Sequence, residues 1–383
     1  MSSFEQEPLR IAERVDQIFG DDLHARRVLS LANGVAGTIN AAVLSIHAIG
    51  RGYARFTNQL EKHGVKQTDR MLGNAGIQVW ELFRPWVAFV VAERKELVIA
   101  LDWTEFDADD HATLAGYLIT NHGRATPLIW MTVSKATLKN RRNDYEYRLI
   151  ERLHECVSTE VAITLLADRG FGDQKLYRFL QTLGWDFVIR FRGAIQVEDA
   201  AGTRQTASAW VPSTGRATMI RDARVTRTRA EVPAVVVVHA KAMKEAWCLA
   251  TSLRDRKASE VVKLYGRRFT IEETFRDQKN FRFGMGLSAT HIGSTDRRDR
   301  LLLLAAIAQV LLTLLGAAGE ACGLDRGMKS NTSTRRQLSL LNQGLILYDK
   351  IPRMDDDQLA PLMVAFDAKV RAHEIFRTAF GVI

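Results

Sequence analysis

Three carboxylates sit where an acid side chain is costly to keep. The apolar run LVIAL leads into Asp102, the run VAITLLA ends at Asp168, and Glu272 lies within Lys263 to Lys279, KLYGRRFTIEETFRDQK. An ionised carboxylate at the end of a buried strand needs compensation, and a bound divalent cation is one good source of it. A strand-end Asp more often caps the next turn, so neither aspartate carries the reading alone. Together with Glu272 they make a set of two strand aspartates and a helical glutamate. Hard oxygen ligands of this kind suit Mg²⁺ or Mn²⁺. Two such ions can bind the attacking and leaving oxygens of an in-line phosphoryl displacement. The set is consistent with metal-assisted phosphodiester chemistry.

The element that must present Glu272 is a helix. Wound continuously at about 100° per residue, Tyr265, Arg268, Glu272 and Lys279 fall within roughly 60° of arc, and Arg276 lies about 20° from Tyr265. Leu264, Ile271 and Phe275 cluster on a neighbouring face. This split predicts a helix docked on a core that turns one carboxylate, several cations and a phenol toward an anion. The plain alternative is a surface helix with ordinary charges.

The aspartates need strands. From Glu96 three β-rich runs, LVIAL, HATLAGYLIT and PLIWMTVS, predict an antiparallel meander. A helix over Asn143 to Val157, a strand over Val161 to Ala167, a helix over Gln174 to Leu183 and a strand over Asp186 to Phe191 complete a mixed α/β layer. Gly193 to about Glu245 reads as a β-rich insertion made basic by Arg204, Arg216, Arg221, Arg224, Arg227 and Arg229; Ala246 to Leu253 returns to the core as a strand.

Pro8 to about Trp86 is helical in pattern. Within it Arg51, Arg55, Lys62, Lys66 and Arg70 stand beside Tyr53, Asn58, Gln59 and Gln67. Such a mixture suits phosphate and base contacts, and equally a solvated helical face. Beyond Arg300 the chain is again helical. Leu301 to Leu315, LLLLAAIAQVLLTLL, falls short of the run of about 18 to 20 apolar residues that spans a bilayer, and Gln309 and Thr313 interrupt it, so a buried core helix is expected.

Composition narrows the class. The 383 residues, 46% hydrophobic and 25% charged, have the balance of a globular protein large enough for more than one core. A net charge of +9 favours a polyanionic partner, nucleic acid ahead of a membrane surface. Cys156, Cys248 and Cys322 are widely separated, which argues against a disulfide framework and against structural zinc, and fits a reducing cytoplasm. The N-terminus, MSSFEQEPLRIAERVDQIFG, lacks the apolar centre of a signal peptide.

The spacing Tyr265, two residues, Arg268, three residues, Glu272, six residues, Lys279 resembles the Y-R-E-K signature of DDE-type bacterial insertion-sequence transposases of family four. Asp102 in ALDWT and Asp168 in LLADRGFG match the first and second acidic motifs in form and order. The resemblance spans about Glu96 to Arg282 and extends more weakly into the N-terminus. It implies an α/β, ribonuclease H-like mixed-sheet core with a β-rich insertion before the acidic helix and helical N- and C-terminal regions.

The same resemblance implies site roles. Asp102, Asp168 and Glu272 would be the catalytic triad holding two Mg²⁺ or Mn²⁺ ions. Tyr265, Arg268 and Lys279, joined by Arg276, would contact DNA phosphates. Trp247, 18 residues before Tyr265 and so closer than in better-known relatives, would stack on a flipped base. The implied partners are the element's terminal inverted repeats and target DNA, with a homodimer in the DNA complex formed through the C-terminal helices, no membrane, and a cytoplasmic, nucleoid-associated location. The implied division is a DNA-end-binding region at 1–86, a core at 87–192 and 246–318 interrupted by the insertion at 193–245, and a helical region at 319–383. A metal-dependent nuclease that never joins strands, and a non-catalytic DNA-binding relative such as a transposition inhibitor, stay open as alternatives.

Overall fold

The computed structural model describes residues 9–120, 124–279, 285–287 and 290–379, with the side chains of 277–279 and 374–379 outside that description. The expected meander is present. Strand β1 (Glu96–Phe106) pairs antiparallel with β2 (His111–Ile119), which pairs antiparallel with β3 (Ala125–Ser134). All nine residues of β2 and nine of the ten in β3 are buried, because helices cover both faces, so their sequences run apolar without alternation. On the other side of β1, β4 (Ala162–Ala167) and β5 (Asp186–Phe191) add in parallel. Their crossovers carry helix α6 (Arg142–Cys156) and helix α7 (Gln174–Thr182), leaving the numbers α1 to α5 for the N-terminal helices. Three antiparallel strands followed by two parallel ones form the ribonuclease H-like core.

The insertion is β-rich, and its strands extend the same sheet. It contributes β6 (Gln196–Glu198), β7 (Arg204–Thr206), β8 (Thr218–Val225) and β9 (Ala230–Val238); β9 pairs with β10 (Trp247–Thr251), which pairs with β5. Among the described residues the sheet has ten strands in the order β3-β2-β1-β4-β5-β10-β9-β8-β6-β7. Without β9, strand β10 would offer a row of open backbone groups, so the valine-rich β9 covers an edge that otherwise invites pairing with another chain. Part of the insertion's positive charge is already committed: Arg224 and Arg229 both pair with the buried Glu198.

Helices α1 (Ile11–Phe19), α2 (Ala25–Ala41), α3 (Ile46–Thr57), α4 (Glu61–Leu72) and α5 (Val79–Val91) precede the sheet; α8 (Ala258–Gly266), α9 (Thr270–Lys279), α10 (Thr295–Ala321), α11 (Leu340–Lys350) and α12 (Asp356–Ala379) follow it. The N-terminal helices share one hydrophobic core with the sheet. Helix α5 runs past residue 86, where the buried Trp86 donates its indole N–H to the Pro127 carbonyl in β3. Helix α10 is long and apolar enough to cross a membrane, yet 78% of that stretch is buried against the rest of the fold, as expected for a core helix. Its polar groups act as pins. Gln309 donates to the Ala125 carbonyl, the Asp299 carboxylate accepts the Thr132 N–H, and Arg300 donates to the Leu72 and Ile77 carbonyls.

Helices α10 and α11 cross at near-backbone contact. A Cβ added at Gly344 would lie 1.8 Å from the Leu312 carbonyl oxygen, and one at Gly316 would lie 2.0 Å from that of Leu340. The obstacle in each case is backbone, which cannot rotate away. Gly344→Ala is therefore expected to cost about 1–3 kcal/mol in urea unfolding. Gly327→Ala, where an added Cβ meets nothing within 4 Å, should unfold like the wild type.

Candidate active site

The parallel pairing of β1 with β4 brings the two aspartates together. Their last paired residues are Leu101 and Ala167, so Asp102 and Asp168 stand one step further along adjacent strands, at the same level. The sequence predicts that the first strand ends at Asp102. Instead β1 continues to Phe106, held there by β2, with Asp102 opposite Ala115. What ends beside Asp102 is β4. Asp168 also fulfils the plainer expectation of a cap: it leads into a 3₁₀ turn over Arg169–Phe171 and accepts the Gly170 N–H at 2.7 Å.

The third carboxylate comes from a broken helix rather than the continuous one predicted. Helices α8 and α9 are separated by a 3₁₀ turn at Arg267–Phe269. Gly266, a weak helix former, ends α8, and a tertiary bond draws the next turn toward the sheet. The four-residue face predicted on one wheel is consequently divided. Tyr265 is 1% exposed and Arg268 6%, while the Glu272 side chain is 52% exposed. Lys279 closes α9, and its side chain lies outside the described residues. Arg276 is exposed and pairs with Glu273. The docking face is as the pattern predicts. Ile271 is buried, the Thr274 hydroxyl accepts the Ala125 N–H at 2.9 Å, and Phe275 meets Tyr117 edge to face at 5.2 Å.

Arg268 joins the carboxylates. Its Nη1 donates to Asp102 Oδ2 at 3.1 Å and its Nη2 to Glu272 Oε1 at 2.8 Å. Sequence reasoning placed Arg268 among the DNA contacts and gave no sign of this bridge, because Asp102 lies 166 residues away. Burial pushes the Asp102 carboxyl up to about 6; Arg268 opposes that shift and the neighbouring charge of Asp168 adds to it. Burial also raises the Tyr265 phenol, against the pull of Arg268. Burial of Arg268 itself would lower its pKa, yet Tyr265, Asp102, Glu272 and Asp168 together hold it above its ordinary value. Its Nε is buried without a hydrogen-bond partner.

Among the described residues no three His, Cys, Asp or Glu side chains form a ready metal-ligand group. The donor chemistry still suits a hard divalent cation, for two carboxylates already share a positively charged group on oxygens such an ion would take.

Trp247, half-buried on β10, packs edge to face against Tyr265 at 5.0 Å and tilts over Phe269 at 5.7 Å. Phe269 is 40% exposed and forms the outer ring of this trio. Sequence reasoning missed it, since nothing in its local pattern separates it from a core aromatic. It also missed Glu146, a buried glutamate on α6 that accepts the Trp103 indole N–H at 2.9 Å just behind Asp102. Burial chiefly raises Glu146 to about 7; Trp103 and Arg142 oppose the shift, and Asp173 and Asp168 add to it.

The raised Glu146 has a signed consequence. Its unfolded value is about 4.3, so between roughly pH 4.3 and 7 the native state holds a proton that the unfolded chain has lost, and stability falls as pH rises. Glu146→Gln keeps an acceptor for Trp103 and removes that slope. Urea unfolding should show the variant gaining on the wild type between pH 5 and pH 8, by about 3 kcal/mol at most. A constant difference across that range would show that Glu146 titrates normally.

A search of curated proteins finds no match. Residues 93–311, more than half of the chain and the span that carries Asp102, Asp168, Arg268 and Glu272, match the family model described as the transposase DDE domain, and the chain belongs to that family.

Proposed function

We propose that this protein is a family-four insertion-sequence transposase with the Y-R-E-K signature. It binds the terminal inverted repeats of its element, cleaves the DNA at those ends and joins the freed 3′ ends to target DNA. The observation that carries this reading is the register that sets Asp102 beside Asp168, with Glu272 tied to Asp102 through Arg268.

In this reading Asp102, Asp168 and Glu272 hold two Mg²⁺ or Mn²⁺ ions, which when bound supply Lewis-acid stabilisation and a reactive oxygen nucleophile. The chain's own groups do the remainder. Arg268, Arg276 and Lys279 hold phosphates flanking the scissile one, Tyr265 orients Arg268 from below, and the Trp247–Phe269 pair offers a ring for an unstacked base, worth roughly 1–3 kcal/mol. The helices of 1–86 read the ends, the insertion arginines hold backbone, and the C-terminal helices pair two copies in the DNA complex.

In this reading end recognition falls on α4. Lys62, Lys66 and Arg70 are exposed there, and His63, Lys66, Gln67 and Arg70 border an open cleft of about 510 Å³ with Ser30 and Asn74. Tyr53, offered by its sequence neighbourhood as a contact, is buried in the helical core instead.

Two experiments test the proposal, both with the full chain because its N-terminal helices share the main core. Asp102→Asn, Asp168→Asn and Glu272→Gln should each lower cleavage and joining of DNA carrying the element's own ends by about a thousandfold, while end binding persists. Wild-type rates in any of the three sink the catalytic reading, and cleavage without joining in the wild type points to the nuclease. Lys66→Ala and Arg70→Ala should each reduce the salt dependence of log Kd by about 1. An unchanged slope removes α4 from the interface.

A further inference from the structure

The position of Arg268 makes it more than a phosphate contact. Its guanidinium is nearly enclosed, it bonds Asp102 and Glu272 at once, and it leaves one buried donor, Nε, unmatched. A divalent cation on Asp102 and Glu272 needs the oxygens that Arg268 now engages. Two positive groups a few ångströms apart repel, the more so beside the largely buried Arg268 and Asp102, so the two occupants compete. Arg268 also belongs to the 3₁₀ turn that separates α8 from α9, and a short 3₁₀ stretch between helices is a common place for a backbone to hinge.

We infer that Arg268 is an internal counterion that keeps Asp102 and Glu272 closed to a divalent cation in the DNA-free protein, and releases them when a DNA phosphate takes its guanidinium. The inference rests on the reading of Asp102 and Glu272 as metal ligands. A phosphate accepts a guanidinium in the same two-pronged manner as a carboxylate and can use the Nε that is unmatched here. Metal loading and DNA binding are then coupled, each strengthening the other by the same factor. One consequence is protective: free enzyme carries little metal, so stray nicking away from bound ends is suppressed.

The test is Mn²⁺ binding to the full chain, read from the loss of the free-ion electron paramagnetic resonance signal, with no turnover required. Without DNA, Arg268→Gln should bind Mn²⁺ at least tenfold more tightly than the wild type, and the double variant Arg268→Gln, Asp102→Asn should lose that gain. Lys263→Gln removes a charge from the exposed face of α8 without touching Asp102, and should change affinity less than threefold. Adding a duplex that carries the element's end should tighten Mn²⁺ binding in the wild type and leave Arg268→Gln nearly unchanged. Circular dichroism checks folding, and Arg268→Lys, which keeps the charge but reaches one carboxylate at a time, should fall between the two if the Gln variant does not fold. Equal Mn²⁺ affinity in the wild type, Arg268→Gln and Arg268→Lys overturns the counterion. Tight binding to Arg268→Gln that survives Asp102→Asn overturns instead the assignment of Asp102 as a ligand.

Discussion

The parallel register between β1 and β4 is the constraint on which the site depends. Leu101 opposite Ala167 is the last pair of that ladder, and the next residue on each strand is an aspartate. A one-residue slip would turn one of the two carboxylates to the opposite face of the sheet. The apolar residues that precede them, Ile99, Ala100 and Leu101 on β1 and Leu165, Leu166 and Ala167 on β4, are all buried and hold the register by packing. The hydrophobic core thus sets the spacing of two acids that contribute nothing to it.

Two like charges so placed need a counter-charge, and Arg268 supplies it from a distant part of the chain. A buried ion pair is weak evidence for stability, because desolvation offsets much of the attraction. The value of this one lies in placement: it fastens the 3₁₀ turn and the start of α9 over Asp102, midway along β1 and beside the end of β4. Thr274 fastens the next turn to the start of β3, at the far edge of the core strands. The helix bearing Glu272 is thereby held at two points, one ionic and replaceable, one hydrogen-bonded and buried.

Much of this was legible in the sequence. Strands β1 to β5, the two crossover helices and the buried nature of α10 follow from apolar periodicity and length, and the runs ending near Asp102 and Asp168 marked both acids. Some features were not legible. That β1 continues past Asp102 depends on its partner β2, and no local signal in DWTEF reveals a strand that one neighbour has left and the other still pairs. The break between α8 and α9 falls just after Gly266, in the turn whose Arg268 bonds Asp102, so a continuous wheel drawn on residues 263–279 puts the buried Tyr265 and the exposed Glu272 on one face. The β-rich insertion was visible by composition, but its place in the sheet depends on the open edge of β10, a tertiary fact. Glu146 stayed hidden because a glutamate in an amphipathic helix normally faces water, and only the Trp103 indole explains its burial.

The same core that sets the register also ties the N-terminal helices to the site. Arg300 on α10 donates to carbonyls at the end of α4 and just before α5, and Arg297 pairs with Asp69 on α4 at 2.5 Å. Two turns of the same helix further on, Gln309 donates to the Ala125 carbonyl, whose N–H is bonded by Thr274 of the Glu272-bearing helix. From α4 to α9 the connection therefore runs through polar bonds made by one helix, those of Arg300 and Gln309 buried, rather than through a linker. A duplex seated on the cations of α4 would meet the carboxylates at a distance set by α10 and not by a flexible tether. Under the proposed function, such a scaffold would fix the separation between a bound sequence and the cut, which is the geometric requirement for releasing an element at its ends.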